Sequence, residues 1–229
     1  MADVERWKRE AAEAAVELVR PGMIIGLGHG STARYALHKL AMLIRSGKLR
    51  DVRGVPCSKK VEEEAQALGI PLTTLEECPE LDLTIDGADE IDPALNVIKG
   101  GGGAMLREKI VAQATRYQVI VAHEGKLSPR LGTQAAVPVE VLPFGWRTHL
   151  PFLESLGAKV SLRLDQQGVP VRTDQGNYIL DCYFGPIPQP GELAQALDAR
   201  AGILGHGLFV GLVDEVFVAG PRGLRRLRA

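Results

Sequence analysis

The chain has 229 residues and a mass of 24.7 kDa, which is enough to bury a hydrophobic core in one large domain or two small ones. Its 27 Lys and Arg residues nearly balance its 28 Asp and Glu residues, and only 5% of all residues are aromatic. Nucleic acid is therefore not an expected partner, because it needs a basic surface or aromatic side chains for stacking.

The N-terminal segment predicts a charged amphipathic helix over residues 3–19, which Pro21 and Gly22 end. It has no apolar stretch of the signal-peptide kind, and no run in the chain reaches the roughly 18 apolar residues of a membrane span. The three cysteines lie far apart and form no CxxC pair, which favours reduced thiols over a disulfide framework or structural zinc. We therefore expect a cytoplasmic protein that binds no membrane.

Predicted helices and strands alternate from there to about residue 122. The strands are expected at 23–25, 52–56, 81–86 and 118–122, with a short extended piece at 70–72, and the helices at 32–46, 59–68 and 104–116. Such alternation is typical of an α/β fold with a doubly wound, mostly parallel sheet. We assign this Rossmann-like domain to residues 1–130 and 207–229, and expect the strand 215–219 to return to its sheet.

The order of the predicted elements changes after residue 130. Strands are expected at 137–142, 159–164, 178–184 and 203–210, and helices at 144–156 and 192–201. The resulting β-α-β-β-α-β order is that of the ferredoxin-like fold, which usually forms its own unit. We assign residues 131–206 to a smaller α+β domain inserted into the first.

Glycine is in excess, with 26 residues, and one cluster lies between the strand 23–25 and the next helix. It reads G-x-G-x-G-S-T from Gly26 to Thr32, not the G-x-G-x-x-G of a dinucleotide site. Backbone N–H groups and the dipole at the start of a helix attract an anion, most often phosphate. A tight turn before a capped helix is the alternative. We favour a phosphate site made by Gly28, His29, Gly30, Ser31 and Thr32.

Three acidic residues, Asp86, Asp89 and Glu90, follow the strand 81–86. Ligands of parallel sheets bind outside the carboxyl ends of strands, so these acids are candidates for a binding site. A solvated turn is one alternative. A metal site is another, although no histidine is nearby and nothing sets a ligand geometry.

A second glycine cluster, Gly100 to Gly103, follows Lys99 and precedes the helix that carries Glu108. Four consecutive glycines inside a domain are entropically costly, which indicates a function. On the helical wheel Glu108 falls among apolar residues, which disfavour a charged carboxylate and suit a general base. An exposed helical glutamate paired with a cation is the alternative.

Three motifs together resemble the ribose-5-phosphate isomerases of the A type. They are the loop 26–32, the run D-G-A-D-E at 86–90, and the segment from Lys99 through four glycines to Glu108. Their order and spacing match, and the resemblance extends over essentially the whole chain. It implies interconversion of D-ribose 5-phosphate and D-ribulose 5-phosphate in the non-oxidative pentose phosphate pathway, with no metal or cofactor. It also implies a homo-oligomer, for which we expect a homodimer over a larger assembly.

The resemblance also implies roles for individual residues. Glu108 matches the base that moves a proton between C2 and C1 through a cis-enediol, and Asp86 matches the residue that opens the furanose ring. Asp89 and Lys99 match residues that hold the sugar hydroxyls and the developing oxyanion. The remaining substrate contacts are expected from the phosphate loop, from Lys8 and Lys126 at the phosphate end, and from Gly87, Ala88, Gly100, Gly101 and Gly102.

Other functions fit parts of the pattern. A coenzyme A transferase-like enzyme has glycine loops and a glutamate nucleophile, and a non-enzymatic sugar-phosphate sensor shares a related domain. An NADP oxidoreductase would use Lys59 and Lys60. The chain departs from the isomerase pattern before Lys126. Members of the family often carry an aspartate near this lysine, whereas this chain has His123, Glu124 and Gly125 there.

Overall fold

The computed structural model describes residues 2–228. The helices are α1 (Ala2–Val16), α2 (Ala33–Arg45), α3 (Lys59–Ala67), α4 (Met105–Gln113), α5 (His149–Ser155) and α6 (Pro190–Asp198). The strands are β1 (Ile24–Leu27), β2 (Arg53–Pro56), β3 (Leu83–Gly87), β4 (Glu90–Ile91), β5 (Val97–Ile98), β6 (Gln118–His123), β7 (Val137–Val141), β8 (Lys159–Leu162), β9 (Tyr178–Tyr183), β10 (Ile203–His206), β11 (Leu208–Phe209), β12 (Glu215–Gly220) and β13 (Gly223–Arg228). No helix among these residues is long and apolar enough to cross a membrane.

The chain forms two compact units. The first holds the chain up to Ala88, residues 107–126, and the chain from Leu212 onward, and the second holds 89–106 and 127–211. Residues 89–106, which the sequence analysis placed with the first domain, group with the second unit because their strands pair there. Where the independently folding domains begin and end stays a prediction.

A six-stranded sheet in the order β13-β12-β6-β3-β1-β2 forms the centre of the first unit. All neighbours pair in parallel except β12 and β13, which form an antiparallel hairpin. Helix α1 buries its alanine-rich face, Ala11, Ala12 and Ala15, in the same core as the inner strands. The predicted doubly wound, mostly parallel sheet is thereby confirmed, including the return of the strand at 215.

The C-terminal strand β13 was not predicted. Its burial alternates between partly buried and exposed positions, as expected of an edge strand with one solvated face. Two of these arginines, Arg226 and Arg228, donate to the buried carboxylate of Glu215 on β12. These charged hydrogen bonds therefore hold β13 against β12.

The second unit contains an antiparallel sheet in the order β10-β7-β9-β8. With α5 and α6 as its connections, this arrangement is the ferredoxin-like one that the order of elements predicted. Its core is built from inward residues of the strands and helices, including Val139, Leu153, Leu180 and Leu197.

The segment predicted as a strand over 203–210, interrupted by Gly205 and Gly207, is divided between two sheets. Strand β10 pairs with β7, whereas β11 pairs with β5, which in turn pairs with β4 in a small three-stranded sheet. The break is at Gly207, where an added Cβ would lie 2.2 Å from the carbonyl oxygen of Lys99. Only glycine allows the two backbones to approach so closely, and this approach places β11 beside the Lys99 segment.

Candidate active site

The predicted site residues lie in both units. The first unit holds the loop 28–32, Asp86, Gly87, Ala88, Glu108, Lys8 and Lys126, and the second holds Asp89, Lys99 and the four glycines at 100–103. We refer to residues 28–32 as the phosphate loop and to residues 100–103 as the glycine loop.

The phosphate loop is anchored to the end of strand β3. The N–H of Gly28 donates to the carbonyl oxygen of Ile85 over 3.0 Å. A Cβ on Gly28 would lie 2.4 Å from both Cα and Oδ1 of Asp86, so no larger residue fits. This glycine is required for close approach of two backbone segments, as the sequence pattern indicated.

Asp86 is held by two backbone amides and is 1% exposed. Its Oδ1 accepts hydrogen bonds from the N–H of His29 at 3.0 Å and of Gly87 at 2.7 Å. The orientation of its carboxylate is therefore fixed by the phosphate loop on one side and by its own turn on the other. The acids at 86–90 are not a simple solvated turn.

The imidazole of His29 lies against the next strand-to-helix connection. Its Nδ1 is 2.8 Å from Oγ of Ser58, which also accepts from the N–H of Val61 and so caps helix α3. We expected His29 to donate toward a phosphate. The structure shows that Nδ1 of His29 contacts Ser58 and so joins two loops, while the backbone N–H of His29 donates to Asp86.

The end of the phosphate loop opens helix α2. Gly30 is exposed with φ +114°, Ser31 is exposed, and Thr32 is 9% exposed. Thr32 occupies the N-cap position without making a side-chain capping hydrogen bond. The first amides of α2, together with the two hydroxyl groups, therefore suit an anion at the positive end of the helix dipole.

Lys8 and Lys126 each lie within electrostatic range of His123. Burial lowers the pKa of His123, and the positive charges of Lys126 and Lys8 lower it further. The Nδ1 of His123 accepts from the N–H of Gly125 at 3.2 Å, which leaves Nε2 as the proton-bearing atom of the neutral ring. Lys8 also pairs with Glu5 at 2.7 Å. The first unit thus gathers the two lysines expected at a phosphate end.

Glu108 is buried, with 3% exposure, in the first turn of helix α4. The same helix buries Met105, Val111 and Ala112, which are apolar neighbours of Glu108 on the helical wheel. The alternative of an exposed, surface-paired glutamate is therefore wrong.

Asp89 and Glu90 have different environments although they are adjacent. Oδ2 of Asp89 accepts from the N–H of Gly101 at 2.7 Å, and Asp89 stays partly exposed. Glu90 is fully buried, and its two carboxylate oxygens accept four backbone N–H groups, at 2.9 to 3.1 Å, from residues 132–135. Glu90 thus orders a loop, which the run of three acids did not reveal.

Lys99 is a buried lysine, with 2% exposure. Its backbone N–H donates to the carbonyl oxygen of Gly207 at 2.9 Å, and its Nζ lies 5.7 Å from the centre of the Phe209 ring, a cation–π distance. Phe209 had no signal in the sequence, because a lone aromatic residue in an apolar strand resembles a core residue.

The glycine loop is a turn with positive φ at Gly100 (+104°) and Gly103 (+80°), closed by a hydrogen bond from the N–H of Gly103 to the oxygen of Gly100. Gly101 and its successor Gly102 are exposed. Arg163, which the sequence analysis did not single out, donates to the carbonyl oxygens of Gly100 and Gly101.

Comparison with known proteins agrees with these features. The family model for ribose 5-phosphate isomerase A (phosphoriboisomerase A) matches residues 53–223. Ribose-5-phosphate isomerase A of Chloroflexus aurantiacus is 56% identical over 223 residues, covering 97% of this chain and 93% of the relative. The same enzyme of Desulfatibacillum aliphaticivorans is 52% identical over 229 residues, covering 100% of both chains.

A solved structure is similar over its whole length. It is a D-ribose-5-phosphate isomerase in complex with phospho-erythronic acid, with a TM-score of 0.97, 35% identity and 99% coverage of each chain. Sequence and structure thus select the isomerase among the functions that the motifs left open. The chain belongs to the ribose 5-phosphate isomerase A family and interconverts D-ribose 5-phosphate and D-ribulose 5-phosphate.

Proposed function

We propose that Glu108 is the base of this isomerisation. In the open-chain aldose it removes the proton from C2, the C–H electron pair forms the C1–C2 double bond, and the aldehyde oxygen gains a proton. Returning the proton to C1 while the C2 hydroxyl loses its own yields the ketose. One carboxylate is sufficient for the proton that moves between the carbons, and the proton that the C2 hydroxyl loses balances the one that the C1 oxygen gains. The burial of Glu108, in the first turn of a helix that also buries Met105, Val111 and Ala112, is the observation that carries this proposal.

The other polar residues serve ring opening and charge stabilisation. We assign opening of the furanose ring to Asp86, whose carboxylate two amides hold in place. Lys99 stabilises the oxyanion that develops at the enediolate, since a buried cation interacts more strongly than a solvated one. Asp89 holds a sugar hydroxyl, and the backbone of the D-G-A-D-E run and of the glycine loop lies along the sugar.

The phosphate group binds to the phosphate loop, with Lys8 and Lys126 completing its charge balance. The exposed Ser31, the uncapped Thr32 and the first amides of α2 support this assignment. The solved relative holds phospho-erythronic acid. That compound combines a phosphate with a carboxylate, whose two oxygens resemble those of an enediolate, so a site for both ends of the substrate fits its binding.

The test is Glu108→Gln, with exposed Glu63→Gln on helix α3 as the matched control. Turnover of ribose 5-phosphate in the presence of EDTA should fall by roughly a thousandfold in Glu108→Gln, within the range of general base catalysis, and stay near wild type in the control. Affinity for phospho-erythronic acid should be kept. If Glu108→Gln stays within about tenfold of wild type, roughly 1.4 kcal/mol, the assignment is wrong.

We further propose that the enzyme is a cytoplasmic homodimer. Phe144 is 94% exposed, and Leu142 and Leu204 are more than a third exposed, which fits apolar surface that a second copy covers. Light scattering during gel filtration should give twice the mass of one chain. A monomeric mass over the whole concentration range would exclude the dimer.

A further inference from the structure

We propose that Arg163 is a positioning residue for the isomerisation, which holds the glycine loop in the conformation that serves Lys99 and Asp89. This inference rests on the roles proposed above for those two residues. Arg163 follows strand β8, 63 positions after Gly100 in the sequence.

The guanidinium of Arg163 is itself rigidly held. Its Nε donates to Oδ2 of Asp181 at 2.9 Å and its Nη2 donates to Oδ1 of the same carboxylate, the bidentate geometry that arginine favours. The two side chains are 17% and 16% exposed, so water screens the pair little. The backbone N–H of Arg163 donates a hydrogen bond to the carbonyl oxygen of Ile179 at 2.9 Å. Strand β9 therefore fixes the direction in which Nη1 points.

The remaining donor, Nη1, reaches the glycine loop. It lies 2.8 Å from the carbonyl oxygen of Gly100 and 3.2 Å from that of Gly101. Both hydrogen bonds join a charged donor to a backbone oxygen and are stronger than bonds between neutral groups.

The peptide group between Gly100 and Gly101 is held from both ends. Its carbonyl oxygen accepts from Arg163, and its N–H donates to Oδ2 of Asp89 at 2.7 Å. A flip of this peptide would break both contacts at once. Four glycines have no side chains to anchor them and the greatest conformational freedom of any residues, so the loop depends on such external contacts.

Two residues next to this peptide group have proposed roles in the reaction: Lys99, which precedes it in the chain, and Asp89, which accepts its hydrogen bond. Lys99 directly precedes Gly100, and its backbone N–H donates to the carbonyl oxygen of Gly207. Asp89 uses Oδ2 on Gly101, which fixes the plane in which Oδ1 can meet a sugar hydroxyl. Arg163 thus acts on the reaction through the loop, by reducing the number of conformations in which Lys99 and Asp89 are misplaced.

The experiment compares Arg163→Ala and Arg163→Lys with Arg172→Ala. Arg172 is the matched control, because it also donates to a glycine carbonyl, Gly176 at 2.7 Å, and lies over the Tyr178 ring, yet does not touch the glycine loop. We expect kcat to fall roughly thirtyfold in Arg163→Ala with KM changed less than about threefold. The lysine variant should recover part of kcat, since it can reach one carbonyl but cannot pair bidentately with Asp181.

Hydrogen exchange supplies a readout that is independent of activity. Amides of residues 100–104 should exchange roughly tenfold faster in Arg163→Ala than in wild type, while those of strand β9 keep their rates. If the alanine variant does not fold, Asp181→Asn tests the same contact, because it weakens the pair that holds the Arg163 guanidinium. The exchange rates of residues 100–104 should then rise less than in Arg163→Ala.

The two proposals fail in different ways. Wild-type kcat and unchanged exchange at 100–104 in Arg163→Ala, or equal losses in Arg163→Ala and Arg172→Ala, would overturn the positioning role. Full activity of Glu108→Gln would instead overturn the assignment of the base, and the exchange measurement would still decide whether Arg163 orders the loop.

Discussion

The backbone N–H of His29 donates to Oδ1 of Asp86 over 3.0 Å, and this bond joins the phosphate loop to the acidic end of strand β3. The loop that we expect to bind the phosphate therefore also orients the carboxylate that we expect to open the sugar ring. The expected phosphate site and the expected ring-opening carboxylate thus share a backbone contact.

Gly28→Ala tests this junction. The added methyl group would lie 2.4 Å from Cα of Asp86 and from the oxygen of Ile85, which are backbone atoms that cannot move aside singly. We expect the free energy of unfolding to fall by about 1–3 kcal/mol, as in overpacked cores, and kcat/KM to fall at least about tenfold. Gly191→Ala is the control, because its added methyl meets open space. Wild-type activity in Gly28→Ala would show that the junction does not matter.

Replacing Ser31 and Thr32 tests the phosphate loop. The double change to alanine should weaken binding of ribose 5-phosphate by roughly tenfold or more, because each hydroxyl donates to a charged oxygen, and should barely affect unphosphorylated ribose. Thr32 is 9% exposed, so its replacement by alanine also removes packed atoms. Ser31→Ala with Thr32→Val is the control for this effect, because valine lacks the hydroxyl group but keeps the shape of threonine. Equal losses for both sugars, measured by titration calorimetry, would remove the phosphate assignment.

Glu140 on strand β7 predicts a stability that depends on pH. It is fully buried, its Oε1 accepts from Thr173 at 2.7 Å and Asn177 at 2.8 Å, and among the described residues nothing hydrogen-bonds Oε2. Burial raises the pKa of Glu140, and the negative charge of Asp174 adds to the effect. The folded state thus keeps the proton more tightly than the unfolded state, so this group destabilises the fold as pH rises above the ordinary value of 4.5.

Glu140→Gln should remove that dependence. Relative to wild type, the variant should be more stable at about pH 8 than at about pH 4, because an amide in this buried position has no proton to lose as pH rises. The exposed Glu154→Gln is the control and should show no such change. Denaturant unfolding of both proteins at the two pH values checks this. A difference in unfolding free energy between variant and wild type that is the same at both pH values would contradict it.

Glu215 predicts the opposite dependence. Its carboxylate accepts from Arg226 at 2.6 and 3.0 Å, from Arg228 at 3.1 Å and from Tyr117 at 3.0 Å. The hydrogen bonds from Arg226, opposed in part by burial, lower the pKa of Glu215 to about 2, and those from Arg228 and Tyr117 contribute. The stabilisation is complete above the ordinary value of 4.5 and is lost as pH falls toward 2.

Glu215→Gln should therefore cost about 1.5–3 kcal/mol of unfolding free energy near neutral pH, the range for hydrogen bonds to a charged group. The loss should shrink steadily as pH falls below about 4.5. Thermal unfolding across this range checks it. A loss that stays constant down to about pH 2 would show that the carboxylate is not what holds strand β13.

Local patterns predicted much of this protein. The alternation of helices and strands predicted the mostly parallel sheet, and the β-α-β-β-α-β order predicted the ferredoxin-like unit. The helical wheel placed Glu108 among apolar residues, and it is 3% exposed. Each of these inferences depends on residues close in sequence, where the period of the element decides which side is buried. The roles of the site residues stay predictions.

What the sequence by itself determined is the family and the two folds, because motifs and periodicity are local, and the same motifs predicted which residues carry the chemistry. Only the tertiary structure decided what holds those residues in place. Arg163 meets Gly100 across 63 positions, Glu90 meets Gly132 across 42, and Gly207 admits the backbone of Lys99. These contacts depend on how strands far apart in the chain are paired. A lone arginine, glutamate or glycine has no local signal of its partner, since the partner is brought to it by the packing of the whole unit.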